Sequence, residues 1–465
     1  MHLPDLKTAS DRSKTENKYI NINEKYEKQF KGKKYFLRTY GCQMNVHDSE
    51  ALRSFLEELG FCNTDDITKA NVIVLNTCAI RENARDKVVG FLGKCKYLKK
   101  NNPYLKIVLA GCMTEQPDFI NIIQKKHKYV DIVIGTHNLY DLPKLLLSKG
   151  KNQEIEVYSN SDEIIEGMNF VRDSHITAWV NIMYGCDKFC TYCIVPYTRG
   201  RERSRKKEDI IKEVKELKDT GYKEVTLLGQ NVNAYGKDID ESFSDLLECV
   251  AKTGIERVRF VTSHPWNFTD EMINVIAKYD NIMPYIHLPL QSGSNDILKR
   301  MNRRYTKEEY LSLFKKMKER IPNVAITTDI IVGFPGETDH DFEETLDVVK
   351  ACEYDGAYTF IFSPRIGTPA ARMQDDTPME VKEERLQKLN ELVNKYSLKS
   401  NQRYLNKIVD VLVLDVSSKD KNKVYGYTDT MKLVNINGNK DIIGKIVKVK
   451  ITDAKSFSLD GEYVE

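Results

Sequence analysis

The chain has 465 residues, 41% of them apolar and 30% charged, with a formal net charge of +3. This length exceeds one ordinary domain and gives about three. The small net charge excludes a globally basic coat for polyanions, and apolar runs of only strand length exclude a membrane-spanning helix.

Residues 1–33 are polar and lysine-rich and are expected to form a loosely ordered tail, not a secretory leader. From Lys34 to residue 150 strands and helices alternate. The strands are Tyr35–Tyr40, Val72–Asn76, Ile107–Ala110 and Asp131–Ile134, and Arg81–Lys100 carries a helical stripe of Ala84, Val88, Phe91, Leu92, Cys95 and Leu98. Such alternation implies a parallel sheet with helices on its faces. Residues 151–170 lose the rhythm and gain Asn, Ser, Asp and Glu, as a linker would. A second series spans 171–395, with strands Thr177–Ile182, Glu224–Gly229, Arg257–Val261, Tyr285–Leu288, Ala325–Val332 and Tyr358–Phe362. Six such units predict a partial (β/α)6 barrel with its chemistry at the C-terminal strand ends. Across 396–465 the short strands Val411–Val416, Val424–Tyr427, Leu433–Ile436 and Lys445–Ile451 alternate with Asn, Gly and Asp turns, predicting a small all-β barrel. The fold class is therefore α/β with a small C-terminal all-β barrel.

Ten cysteines in a reducing compartment suit metal ligation or buried thiols, not disulfides. Cys186, Cys190 and Cys193 form C-x₃-C-x₂-C directly after Gly185. Three thiolates from one short loop suit one face of an iron–sulfur cube and leave one iron open, whereas closed electron carriers supply four. A zinc knuckle would need a further Cys or His pair nearby, and none follows. Cys42, Cys78 and Cys112 are 36 and 34 residues apart, one βα unit each time, and each directly follows a predicted strand. Parallel strands deliver their C-terminal ends to one edge, so these three are expected to converge on a second cluster. The alternative is three buried strand-end thiols. Cys62, Cys95, Cys249 and Cys352 are expected to pack in cores.

The segments Gly41-Cys42-Gln43-Met44-Asn45, Asn76-Thr77-Cys78, Gly185–Cys193 and Ile194–Glu202 resemble the radical-SAM methylthiotransferases. The likeness covers the chain from about Lys34 to Asp460. It implies an N-terminal methylthiotransferase domain (34–150), a radical-SAM partial barrel (171–395) and a C-terminal TRAM domain (396–465). It also implies two 4Fe-4S clusters and S-adenosyl-L-methionine as cofactors. Cys186, Cys190 and Cys193 would be catalytic, ligating the cluster that cleaves S-adenosyl-L-methionine to a 5′-deoxyadenosyl radical. Cys42, Cys78 and Cys112 would ligate the cluster that carries the sulfur. The expected product is a 2-methylthio group on N6-isopentenyladenosine just 3′ of the anticodon in tRNA. A low-potential flavodoxin or ferredoxin would supply electrons to a cytoplasmic monomer without membrane contact. Two siblings, acting on a ribosomal-protein aspartate or on threonylcarbamoyl-adenosine, share the architecture. The aspartate branch has Pro-Lys after its first cysteine, where this chain has Gln43-Met44. From another class, an RNA-binding iron–sulfur carrier would need no S-adenosyl-L-methionine site.

Polar residues after the barrel strands are candidate cofactor contacts: Gly229, Gln230, Asn231, Ser263, Gln291, Ser292, Asp329 and Gly333. Singly, such residues are usually turns. His264 and His287 are read as structural. Thr198–Lys207 carries six positive charges and one negative, so Arg199, Arg201, Arg203 and Arg205 are candidates for gripping RNA phosphates, against the alternative of a solvated basic face. Lys94, Lys96, Lys99, Lys100 and Lys106 make a further basic patch.

Overall fold

The computed structural model describes residues 16–464 apart from 22–25, 27, 80–81, 149–152, 159–161, 169 and 439; residues 1–15 of the expected tail lie outside these. Strand β1 (Lys18–Asn21) belongs to that tail yet pairs in parallel with a strand far along the chain, Glu163–Glu166.

The N-terminal domain is one parallel sheet of β2 (Lys34–Thr39), β3 (Cys62–Asn63), β4 (Val72–Thr77), β5 (Lys106–Gly111), β6 (Ile132–Ile134) and β7 (Glu154–Glu156), in the order β3-β2-β4-β5-β6-β7. All six residues of β4 are buried. A strand covered on both faces reads as a continuous apolar run, and Val72-Ile73-Val74-Leu75 is one. Its residues alternate between two cores. Ile73 and Leu75 pack with Val88, Leu92 and Cys95 of α2 (Glu82–Asn101), while Val72 and Val74 pack with Leu52 and Leu56 of α1 (Gln43–Glu58). Helix α3 (Pro117–Lys126) joins the first face and α4 (Leu142–Leu147) the second.

The stretch 151–170 departs from the expected linker. Its β7 is the last strand of the N-terminal sheet and its β8 (Glu163–Glu166) is the partner of β1. Short strands among Asn, Asp and Glu lack the apolar alternation that identifies strands in sequence.

The second domain places β9 (Thr177–Asn181), then a two-residue hairpin of β10 (Met183–Tyr184) and β11 (Arg203–Ser204), then β12 (Glu224–Leu228), β13 (Arg257–Phe260), β14 (Tyr285–His287), β15 (Ala325–Val332) and β16 (Gly356–Ile361). Parallel pairing runs β9-β12-β13 and β14-β15-β16. Val258 N donates to Asn281 O (2.7 Å) and Met283 N to Val258 O (2.8 Å), joining the halves into the six-stranded partial barrel expected. The short α5 (Val195–Thr198) lies against the N-terminal domain, and the other helices are α6 (Lys207–Asp219), α7 (Phe243–Lys252), α8 (Asp270–Lys278), α9 (Asn295–Arg300), α10 (Lys307–Arg320), α11 (Asp339–Cys352) and α12 (Met379–Gln402). Helix α12 runs straight through the 395/396 junction expected between domains, because its apolar positions Leu389 and Val393 belong to the barrel core.

The C-terminal strands β17 (Ile408–Val416), β18 (Lys423–Thr428), β19 (Leu433–Asn437), β20 (Ile446–Ala454) and β21 (Leu459–Tyr463) close a barrel in the order β17-β18-β19-β21-β20 around Val411, Val424, Val434, Ile436 and Val449. The fifth strand is absent from the sequence expectation. It reads Leu-Asp-Gly-Glu-Tyr, and Gly461 sits where a Cβ would meet Val449 Cγ1 at 2.5 Å. A glycine that admits close packing looks like a turn in sequence.

Candidate functional site

Cys42 is the N-cap of α1, Cys78 follows β4, and Cys112 follows β5. The parallel sheet thus brings all three to one edge. Gly41 (φ +143) lies so close that a Cβ would be 3.0 Å from Cys78 Cβ. Gly111 (φ +95) passes against Asn76 and Thr77, where a Cβ would meet Thr77 O at 2.4 Å. Only glycine meets both demands. Burial pushes the Cys112 thiol up to about 12, against the pull of Arg199, with Cys78 and Cys42 near enough to add to the rise.

The other trio lies in the loop between β10 and β11. Gly185 (φ +73) makes its entry, where a Cβ would meet Arg201 O at 1.9 Å. Gly185 N is held by Gln230 Oε1, Cys186 N donates to Gly200 O (3.1 Å), and Cys193 N donates to Cys190 O (2.9 Å). Phe189 takes a left-handed φ of 48°, which folds the loop back on itself. Burial raises the Cys186 thiol well above its ordinary value and Cys193 to about 12. Buried thiols that resist ionisation in water's absence become thiolates when a metal replaces the proton. Among the described residues no three His, Cys, Asp or Glu side chains converge tightly enough for a single metal ion.

The segments that carry the two trios meet across the domain junction. Cys112, Ala79 and Ile194 pack in one group with Tyr197, joining the edge of the sheet to the end of the cysteine loop. Arg199 crosses the same junction. Its Nε donates to Cys112 Sγ (3.1 Å) and its Nη2 to Asp48 of α1 (2.6 Å). Burial alone would discharge this guanidinium, but Asp48 and Cys112 hold its pKa well above the usual value. Arg303, also buried, donates from Nη1 to Cys190 Sγ (3.4 Å).

A cleft of about 1050 Å³ opens beside the junction, lined by Thr39, Tyr40 and Gly41 from one domain and by Tyr192, Cys193, Gln291 and Asp329 from the other. Of the eight candidate cofactor contacts, Gln291 and Asp329 are on this wall. Gln291 holds a left-handed φ of 69°, fixed by hydrogen bonds from its N to Asp329 O (2.8 Å) and from Ile331 N to its carbonyl (2.9 Å). Gln230 supports the cysteine loop. Gly229 abuts Met183, Asn231 donates to Glu202 (2.9 Å), and Ser263 donates to the His287 carbonyl. Ser292 and Gly333 also lie off this wall: Ser292 is fully buried and accepts from Ser294 N (3.2 Å), and Gly333 N donates to Glu337 (2.6 Å) under Lys382. Both shape turns against α11 and α12. His264 caps the turn at Trp266, and His287 contacts Thr327 (3.0 Å) and Asp329 (3.3 Å).

The arginine run is also corrected. Arg199, Arg201, Arg203 and Arg205 are all buried. Arg201 pairs with Asp162 (3.0 Å), Arg203 donates to Glu163 O (3.1 Å), and Arg205 pairs with Glu166 and Glu213 (2.7 Å each). Their partners come from α1, from Asp162 and β8, and from α6, so the run is a buried clamp and not a solvated basic face. Lys99 of the second basic patch is tied to Asp131 (2.5 Å). Cys62 is exposed in the edge strand β3, outside any core. Sequence reasoning missed Asp48, Arg303, Lys87, Tyr358 and Phe360. Only Tyr358 and Phe360 carried a signal, the every-second-residue aromatic spacing of a strand.

Three family models match the chain: an uncharacterized protein family, UPF0004, over residues 34–135, the Radical SAM superfamily over 180–349, and the TRAM domain over 402–464. The tRNA-2-methylthio-N(6)-dimethylallyladenosine synthase of Staphylococcus epidermidis is 54% identical, covering 99% of this chain and 91% of its own length. The protein of the same name from Bacillus subtilis is 53% identical, covering 99% and 92%. The radical S-adenosylmethionine methyltransferase TsrM of Kitasatospora setae shares the fold at a TM-score of 0.53 and 14% identity, over 73% of this chain and 77% of its own. Matched almost end to end at more than half identity, the chain belongs to the tRNA-2-methylthio-N(6)-dimethylallyladenosine synthase family of radical-SAM enzymes.

Proposed function

We infer that the protein installs a methylthio group at C2 of N6-dimethylallyladenosine in tRNA, at the base just 3′ of the anticodon. The observation that carries this reading is that Cys112 of one trio packs on Ile194, the neighbour of Cys193 in the other, while Cys193 and Gly41, the neighbour of Cys42, line one cleft between the domains. Cys186, Cys190 and Cys193 would hold one 4Fe-4S cluster and Cys42, Cys78 and Cys112 a second, each with one iron lacking a protein ligand. When bound, the first supplies the electron that splits S-adenosyl-L-methionine and the second presents the sulfur to be transferred.

The chain's own residues bind, orient and shield. Asp329 and Gln291 put polar atoms on the cleft wall for the methionyl or ribose groups of S-adenosyl-L-methionine. Ile194, Ile331 and Tyr40 line the same space with apolar surface and limit water beside a radical. Arg199, in the segment after Cys193, bonds Cys112 and Asp48 and so ties the second trio's loop to the first trio's domain, as a transfer between them demands. One copy contributes both trios, which suits a monomer. The tRNA substrate places the work in the cytoplasm, and the reaction needs a low-potential reductant of the flavodoxin or ferredoxin class.

Nucleoside mass spectrometry of tRNA from a strain lacking the protein tests this reading. Loss of the 2-methylthio nucleoside with accumulation of N6-dimethylallyladenosine is expected, restored by wild type but not by Cys190→Ala or Cys78→Ala. Unchanged 2-methylthio levels in the deletion strain would refute it.

A further inference from the structure

Strand β16 divides its side chains between two environments. Ala357 and Ile361 pack on the barrel core with Leu386 of α12. Tyr358 and Phe360, on the opposite face, line the cleft and remain 59% and 50% exposed. Phe362, the next residue of that face, is buried against Phe334, with 5.0 Å between ring centroids. The aromatic ladder therefore rises from an anchored base into open space. Tyr358 is braced at its edge by His287 at 5.9 Å, and His287 is itself held by Thr327 and Asp329. The rings are positioned without being covered. Ile331, paired across the sheet with Phe360, adds apolar wall beside them, and Lys87 of α2 lines the same cleft. A cleft of about 1050 Å³ exceeds the need of one cofactor-sized ligand.

We propose that Tyr358 and Phe360 form the stacking platform for the tRNA's target purine, with the alkyl group on its N6 lying against Ile331. This rests on the methylthiotransferase reading above. A base must leave its stack before C2 can be reached, and aromatic faces replace the stacking it loses. The branched hydrocarbon on N6 matches a wall of aliphatic and aromatic carbon. Such a wall separates prenylated from plain adenosine by apolar burial.

The test is binding and turnover by cluster-reconstituted enzyme. The probes are anticodon stem–loop RNAs carrying either N6-dimethylallyladenosine or adenosine at the target position. Wild type is expected to bind the prenylated loop more tightly. Tyr358→Ala and Phe360→Ala should each weaken that binding about tenfold, with the larger loss on the prenylated loop. Tyr358→Phe should retain affinity, because the ring and not the hydroxyl is used. Thermal unfolding of each variant separates lost platform from lost fold, and Phe360→Leu, which keeps apolar volume without a π-face, provides a second probe of stacking. Alanine variants that bind the prenylated loop within twofold of wild type overturn the platform while leaving the function intact if wild type still methylthiolates the RNA. Wild type that turns over neither RNA overturns the function and the platform together.

Discussion

Each thiol trio has one buried arginine on a sulfur, and the two arginines differ in what else they hold. Arg199 shares its charge between Cys112 and the Asp48 carboxylate, so the local sum is near neutral. Arg303 divides its other donors between the Tyr305 hydroxyl (3.1 Å) and the Pro289 carbonyl (3.1 Å), which carry no formal charge. A cation at a cluster sulfur favours the reduced form and raises the potential. On the proposed reading, a cluster held by Cys186, Cys190 and Cys193 would therefore be the easier of the two to reduce. Arg303→Gln should lower its midpoint potential by roughly 60 mV, about a tenfold factor for one electron. Asp48→Asn should raise that of the other cluster. Redox titration followed by electron paramagnetic resonance measures both; unmoved potentials would contradict the asymmetry.

At the level of elements, the loop from α5 to α6 is a domain clamp built from side chains that read as a polyanion site. Arg205 joins Glu166 of β8 to Glu213 of α6, and Arg172 joins the same Glu213 (2.7 Å) to Glu50 of α1 (3.7 Å). Burial lifts the Glu50 carboxyl to about 7, although Arg172 and Arg53 pull it down. Removing one member of a buried pair strands the other charge at a cost of about 3–5 kcal/mol. Arg205→Ala is expected to destabilise the protein by about that amount in denaturant unfolding. It should leave the salt dependence of tRNA affinity unchanged, because Arg205 makes no phosphate contact. A shallower salt slope in the variant would restore the phosphate role. The clamp was illegible in sequence because its acids, Asp48, Asp162, Glu166 and Glu213, are scattered over 166 positions and only folding gathers them.

At the scale of the whole molecule, Asp355 is a hub where the C-terminal barrel meets the rest, its carboxylate 3.9 Å from Lys432. Asp355, between α11 and β16, accepts from Ser400 Oγ (2.5 Å) and pairs with Lys318 (3.0 Å) and Arg403 (2.7 Å). Lys432 of the small barrel donates to the Asp355 carbonyl (2.9 Å). Arg257 of β13 donates to Tyr427 O (2.8 Å) and Asp410 O (3.1 Å) across the same interface. Burial raises the Asp355 carboxyl, but Lys318 and Lys432 outweigh it and hold the pKa below its ordinary value. A depressed carboxylate pKa stabilises above the unfolded value and loses that contribution as pH falls through the folded one. Docking of the C-terminal barrel should therefore weaken in acid, below the usual aspartate range. Asp355→Ala should loosen it at neutral pH, seen as faster proteolytic release of the C-terminal barrel and a second thermal transition. One cooperative transition in the variant would show that the hub is dispensable.

The two cysteine trios, the three architectures and most strands were legible in the sequence alone. Their signals are local: apolar runs, periodicities of 2 and 3.6, and a cysteine spacing within one loop. The convergence of Cys42, Cys78 and Cys112 was also legible, since parallel βα units repeat their strand ends along one edge. Charge partnership and exposure were decided only by the tertiary structure. Arg199 touches Cys112 because two domains meet there, and Phe360 faces the cleft while Phe362 is buried because of where β16 sits in its sheet. A side chain's type is written in the sequence, but its solvent and its counter-ion come from residues far away along the chain, and burial is what turns one into a clamp and leaves another open to a base.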